Sequence, residues 1–231
     1  MRTMAYVAAA GLTLVLVACA SSQLNSSAFS KPRTLALVSV AATVSGLATG
    51  AAQDREIAAD LARVSFNEIG HSRYIRLVPE AAVLRSKTYK AIKDEGPTFM
   101  GVVAPGYKRF SIDDEKTRLQ ALAKELKVDG FVFVQGAYGK KDSGVGIGGL
   151  FNAPIPITAG RSKPYALFAV VAYDVNGNVL WQDQLEKTSD EGITTVMGVG
   201  AYKSLIPKFT DLMKAASREL VAKLETQVAA K

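Results

Sequence analysis

Leu126-Lys127-Val128-Asp129-Gly130-Phe131-Val132-Phe133-Val134 contains a change of period that decides the fold. Upstream of it, Leu119, Leu122, Ala123 and Leu126 recur at helical spacing, in a helix whose cap is expected at Asp113 or Asp114, where a carboxylate suits the free N–H groups of a first turn. Downstream of Gly130 four apolar residues follow without interruption. A half-buried strand would alternate polar and apolar, so Phe131–Val134 reads as a central strand covered on both faces. A helix feeding directly into such a strand implies an α/β chain with helices against a sheet.

The same reading extends in both directions. Thr34–Val44, with Leu35, Leu37, Val38, Val40 and Val44, is a first strand. Residues 46–52 are small and loop-like; a helix then opens at Asp54, carries Ile57, Leu61 and Val64 on one face, and ends at Gly70. Tyr74–Val78 is a second strand stopped by Pro79, Glu80–Lys93 a second helix, and residues 95–111 a loop broken by Pro97, Gly101, Pro105 and Gly106. Tyr165–Tyr173 is another apolar strand. Asn176-Gly177 turns it into Val179-Leu180-Trp181, since both residues tolerate the positive φ that tight hairpins need. A last helix follows Pro207, with Phe209, Leu212, Met213, Ala216, Leu220 and Leu224 as its apolar stripe. The expected fold is one α/β (α+β) domain over 33–228, a mixed sheet of about five strands covered by helices, interrupted by a Gly/Pro-rich segment at 139–164.

Two segments carry a resemblance. The helix-to-strand step at Leu126–Val134, and Ala172-Tyr173-Asp174-Val175-Asn176-Gly177-Asn178-Val179-Leu180-Trp181 with its hairpin, resemble envelope domains similar to the amino-terminal domain of TolB. That group includes the curli secretion lipoprotein CsgG and the penicillin-binding-protein activator LpoB. The resemblance spans roughly residues 33–225 in element order and implies a domain that binds proteins or assembles into rings, without catalysis. The chain departs from the secretion member in lacking a pair of long amphipathic hairpins for a membrane barrel.

The amino terminus has the layout of an export signal: Arg2, an apolar run from Ala5 to Ala18, and small residues before Cys19. The run is too short to cross a hydrocarbon core of about 30 Å as a helix. Leu16-Val17-Ala18-Cys19 is similar to the lipobox of bacterial lipoproteins, which implies removal of residues 1–18, acylation of Cys19 and attachment to a membrane. Two or three acyl chains anchor stably where one does not. Ala20 after the cysteine implies, on the same resemblance, transfer to the outer membrane. Residues 19–32, rich in Ser, Ala and Asn, are expected to be the lipidated cysteine and a flexible tether. Cys19 is the sole cysteine, so no internal disulfide can form.

The chain has 231 residues, a formal charge of +7 and 48% apolar residues. Its Lys and Arg are spread thinly and are not interleaved with aromatics, so a nucleic-acid footprint is not expected. Anionic headgroups, peptidoglycan or an acidic envelope partner suit the charge better. Catalytic patterns are sparse. One His and one Cys cannot build a zinc site, and His71 beside Gly70 reads as a helix-end residue. Asp113-Asp114-Glu115 and Asp190-Glu191 read as capping and solvated groups. Gly144-Val145-Gly146-Ile147-Gly148-Gly149 matches a dinucleotide fingerprint in letters only, because Lys140-Lys141-Asp142-Ser143 precedes it and Pro154 and Pro156 bar a helix behind it. No catalytic residue, cofactor or metal is expected. Val145, Ile147, Leu150, Phe151, Ile155 and Ile157 are the expected contact residues for a partner or a membrane. The expected function is a lipid-anchored, protein-binding or assembly module. The alternatives are a ring-forming, homo-oligomeric secretion component and a carboxylate-dependent cell-wall hydrolase.

Overall fold

The computed structural model describes residues 22–44, 51–96, 101–142, 161–190, 193–194 and 206–230. In chain order its elements are β1 (Gln23–Leu24), a 3-10 turn at Ser26–Phe29, β2 (Arg33–Val44), α1 (Ala51–Gly70), β3 (Ile75–Leu77), α2 (Glu80–Arg85) and α3 (Lys87–Ala91). There follow β4 (Val102–Val103), α4 (Ile112–Leu126), β5 (Gly130–Asp142), β6 (Arg161–Asp174), β7 (Val179–Thr188), β8 (Ile193–Thr194) and α5 (Ile206–Ala229). The sheet runs β1-β7-β6-β5-β2-β3, with β4 paired to β2 and β8 to β6. β2 is parallel to β3 and β5, and the other pairings are antiparallel. The mixed α/β fold with its helix-covered sheet is the one expected. The sheet has eight strands rather than about five. The three additional strands, β1, β4 and β8, are two residues long each and too short to show a period.

Side chains of the central strands separate into two cores. Leu35, Leu37, Val40, Val132, Val134 and Phe168 lie under α1 and α5, against Ile57, Leu61, Phe209, Met213 and Leu220. On the other face Ala36, Val38, Phe131 and Phe133 meet Val83, Tyr89, Ile92, Leu119 and Leu122 from α2 to α4. Full burial of one such large side chain is worth about 1.5–3 kcal/mol. Two glycines let the layers close. A Cβ on Gly136 would come within 2.8 Å of Leu61 and 3.0 Å of Met213, and one on Gly130 would stand 2.0 Å from the Tyr173 carbonyl oxygen.

The step from α4 into β5 is built as follows. Lys127 takes a left-handed conformation (φ 54°), and the Val128 N–H donates back to the Ala123 carbonyl at 3.1 Å, which ends the helix. Asp129 then exchanges bonds with the start of β2: its N–H donates to Thr34 O at 2.7 Å, and its carboxylate accepts from the Thr34 N–H at 2.8 Å. The residue ahead of α4 is Ser111, so neither Asp113 nor Asp114 is its cap; both lie in the first turn, where acidic side chains suit the helix dipole.

β2 contains a bulge. Leu37 pairs with Val132 and Ser39 with Phe133, leaving Val38 without a partner in β5. The extra residue reverses the alternation, so Leu35 and Leu37 before it and Val40 and Ala42 after it all face the same core. The Val38 carbonyl accepts a hydrogen bond of 2.7 Å from the Tyr89 hydroxyl. Burial pushes the Tyr89 phenol well above its ordinary range, which keeps that donor protonated.

The single helix expected over Glu80–Lys93 is two short helices, α2 and α3. Ser86 is extended (φ −55°, ψ 133°), and its hydroxyl oxygen accepts from the Tyr89 N–H at 3.0 Å. Val83, Tyr89 and Ile92 are the buried apolar residues, and on a continuous helix positions 83 and 89 would stand about 120° apart. The break at Ser86 turns all three inward.

Residues 22–32 are not a loose tether. Gln23 and Leu24 pair with Gln182 and Trp181, the Asn25 N–H donates to Leu180 O at 2.9 Å, and the Asn25 side chain accepts from the Ala28 N–H. Phe29 is 0% exposed and belongs to the core under α5. Ser, Ala and Asn in this segment make a capped turn around one buried aromatic. Phe29→Ala is expected to destabilise the domain by about 3–5 kcal/mol in denaturant unfolding, a loss that no residue of a flexible tether would produce.

Candidate functional site

The site is the end of the sheet where β5 finishes and β6 begins. Among the described residues β2 accompanies β5 as far as Val44 opposite Tyr138. β5 and β6 continue together through Gly139↔Tyr165, Lys140↔Pro164, Lys141↔Lys163 and Asp142↔Ser162. On its other side β6 is paired by β7 as far as Thr188 opposite Tyr165 and by β8 at Arg161 and Ser162. A Cβ on Gly139 would stand 2.6 Å from the Tyr165 ring, so only glycine admits that ring across the strand. In sequence these rungs and the start of β6 hold Lys140, Lys141, Arg161 and Lys163 and one acidic residue, Asp142.

The Gly/Pro-rich segment expected at 139–164 is therefore shorter than its composition suggests, because both of its ends are paired strand. Pro164 is accommodated there, its carbonyl accepting from the Ser189 N–H at 2.9 Å. Val145, Ile147, Leu150, Phe151, Ile155 and Ile157 lie outside the described residues, as does Cys19. The same holds for the fingerprint-like Gly144–Gly149. Lys140–Asp142 belong to β5, so they do not separate a strand from it as the sequence suggests.

At the middle of β7 the amino-terminal segment meets the domain through a charged triangle. The Ser22 hydroxyl donates to the Asp183 carboxylate at 3.1 Å, and Lys223 Nζ lies 2.6 Å from the same oxygen and 3.5 Å from Ser22 Oγ. The Asp183 side chain is only 5% exposed, so Lys223 supplies the charge that makes its burial tolerable. Nothing in the sequence marks these three residues, which are 40 to 201 positions apart.

Elsewhere, titratable groups serve the architecture. Glu115 is buried, accepts from Arg118 Nη1 at 2.6 and 2.9 Å, and takes a third bond from the Lys93 N–H. Glu68 is buried against Arg218 at 2.7 Å. The Tyr107 hydroxyl donates to Glu80 at 2.7 Å, and burial followed by that bond pushes its phenol far up. Asp174 accepts from the N–H groups of Asn176 and Asn178 and from the Asn178 side chain, each at 2.8 Å. Partial burial opposes its ionisation, and these bonds outweigh it and hold the carboxyl low. They close the Asn176-Gly177 turn, where Gly177 has φ +91°.

His71, Asp113, Asp114 and Asp190 are exposed, and Glu191 lies outside the described residues. An open groove of about 530 Å³ between α1 and α5 includes Glu56, Asp60 and Asp211, with Asp60 bound to Arg63 and Thr210. Among the described residues no group of three or more His, Cys, Asp or Glu side chains is placed to hold a metal ion. No described helix is long and apolar enough to cross a membrane.

These features define a mixed α/β domain whose sheet ends where β5, β6 and β8 pair. No protein-family model and no curated protein matches the chain. Among solved structures it is similar to the LpoB C-terminal domain from Salmonella enterica, at 11% identity and a TM-score of 0.37, over 68% of this chain and 83% of that one. The hypothetical protein CT253 from Chlamydia trachomatis gives 13% identity and a TM-score of 0.38, over 87% of this chain and 100% of the other. Lipoprotein GNA1162 from Neisseria meningitidis gives 13% and 0.32, over 78% and 95%. Likenesses this loose assign the chain neither a family nor an activity.

The triangle at the entry point is open to test. Lys223→Ala leaves the Asp183 carboxylate buried without its cation. The expected cost in equilibrium unfolding is about 2 kcal/mol, below the 3–5 kcal/mol of a fully buried pair because Lys223 is half-exposed. Asp183→Asn combined with Lys223→Ala should recover part of that loss.

Proposed function

We propose that the chain is a cell-envelope lipoprotein, processed before Cys19, whose domain binds or assembles with other envelope proteins and is not a catalyst. The observation that carries this reading is the β5–β6 ribbon. Its two strands lead into residues 143–160, which hold Val145, Ile147, Leu150, Phe151, Ile155 and Ile157 and no Asp, Glu, Lys or Arg. An uncharged, apolar stretch joining two paired strands suits a contact with another surface. The acyl group on Cys19 holds the protein at a membrane, and Ala20 favours the outer one.

The buried carboxylates support a non-catalytic role. Glu68, Glu115 and Asp183 are each bound to a cation, an arrangement that fixes elements rather than one that moves protons. Peptidoglycan is a further partner compatible with the basic ribbon.

Two experiments test the proposal. Metabolic labelling with a fatty-acid analogue is expected to mark the wild type and to leave Cys19→Ala unlabelled; equal labelling of both, or of neither, removes the anchor. Deletion of Gly144–Ile157 is expected to abolish crosslinking to envelope proteins in living cells while the melting temperature of the purified domain stays nearly unchanged. A deletion variant that unfolds would show instead that the stretch belongs to the core.

A further inference from the structure

We infer that Asp183 guards the outer edge of β7. Its carboxylate caps the first outward backbone donor beyond β1 and so keeps the strand from pairing with a second copy of this chain. The inference rests neither on the lipid anchor nor on residues 143–160.

An edge strand presents a row of backbone groups that another extended chain can pair. β7 runs for ten residues, Val179–Thr188, and β1 covers it only at Trp181 and Gln182. Among the described residues no strand pairs with its outer side from Asp183 to Thr188. The direction of each backbone group follows from the β1 pairing. In an antiparallel ladder, residues that bond to one neighbour alternate with residues that bond to the other. The Asn25 N–H bonds the Leu180 carbonyl, and Gln23 stands opposite Gln182 two rungs on, so residues 180, 182 and 184 turn their backbone groups to the β1 side. Gln184 is therefore the first residue past β1 whose N–H points out of the sheet.

That N–H already has an acceptor. It donates to Asp183 Oδ1 at 2.9 Å. The other carboxylate oxygen, Oδ2, accepts from the Ser22 hydroxyl at 3.1 Å and lies 2.6 Å from Lys223 Nζ. Ser22 directly precedes β1, so one carboxylate closes the gap between the end of β1 and the next outward rung. Lys223 compensates the charge through Oδ2, which leaves Oδ1 committed to the edge. A strand approaching here would lose the Gln184 donor and bring its own carbonyl oxygens toward an anion. An inward-pointing charge is one of the devices that blunt sheet edges, and the Asp183 side chain is only 5% exposed. Lys187, four residues on and on the same face, is a second such charge and is bound to Glu219 of α5.

The test uses residues 19–231 with Cys19→Ser, so that no lipid contributes, and measures self-association by sedimentation velocity. Asp183→Ala uncovers the Gln184 N–H and is expected to self-associate at least about tenfold more tightly than the parent chain. Asp183→Asn keeps an oxygen that accepts this N–H, and Lys223→Ala breaks the same ion pair while leaving the cap in place. Both are expected to associate as the parent does. Should Asp183→Ala fail to fold, Asp183→Ala combined with Lys223→Ala strands no ammonium and is read in its place. The route of association is read from a single thiol. With Glu186→Cys, a short bis-maleimide is expected to join copies of the Asp183→Ala chain and to leave the parent unjoined; Lys124→Cys, exposed on α4, is expected to join neither. No gain in Asp183→Ala, an equal gain in Asp183→Asn or Lys223→Ala, or equal crosslinking from position 124 overturns the inference.

Discussion

The parallel pairing of β2 with β5 is the constraint on which the remaining structure depends. Parallel neighbours cannot be joined by a hairpin, so the chain between Val44 and Gly130 must travel over the sheet and return. That journey supplies α1, β3, α2, α3, β4 and α4, and it places helices on both faces of the two strands. Their backbone groups are then closed to water, which is affordable only because the ladder pairs them almost rung for rung from Leu35 to Val44. The antiparallel half of the sheet, β6 and β7, adds to this pair on one side and carries α5.

Polar groups enforce the same arrangement from its edges. Asp129 ties the end of the α4 step to the first residues of β2, so helix exit and strand pairing are one event. Glu68 with Arg218 links α1 to α5 over 150 positions of sequence, and Arg73 with Glu225 repeats the link nearer the end of both helices. The Arg73 pair is exposed and adds little; the Glu68 pair is buried on its acidic side, so loss of Arg218 would leave a charge without compensation. These contacts define which helix lies where, while the apolar cores supply most of the favourable energy.

Much of the fold was legible in the chain, for reasons that particular residues make plain. Phe131–Val134 is apolar throughout because both of its faces are covered, and Asn176-Gly177 turns because Gly177 takes a positive φ. The α5 stripe follows simple helical spacing, with Phe209, Met213, Ala216, Leu220 and Leu224 all buried. What escaped was set by distant partners. Gln23 and Leu24 are a strand only because Gln182 and Trp181 lie beside them, and the turn at Ser26–Phe29 looks like a linker until Phe29 finds its pocket. The break at Ser86 was hidden because a serine hydroxyl caps α3 within what passes for one helical run. Within the candidate site the apolar residues at 145–157 were conspicuous by composition. The basic rungs flanking them became visible only once the register of β5 and β6 set Lys140 and Lys141 near Lys163.

The bulge in β2 has a consequence of its own. Val38 interrupts the ladder, and the oxygen it leaves over is claimed by the Tyr89 hydroxyl from a different layer of the molecule. The supernumerary residue and the phenol form a lock and its key: a chain that straightened β2 would strand a hydroxyl, and a chain that lost the hydroxyl would strand a carbonyl. The bond joins a side chain to a backbone carbonyl 51 residues away, so the phenol at position 89 secures the shape of β2 whatever side chain stands at position 38.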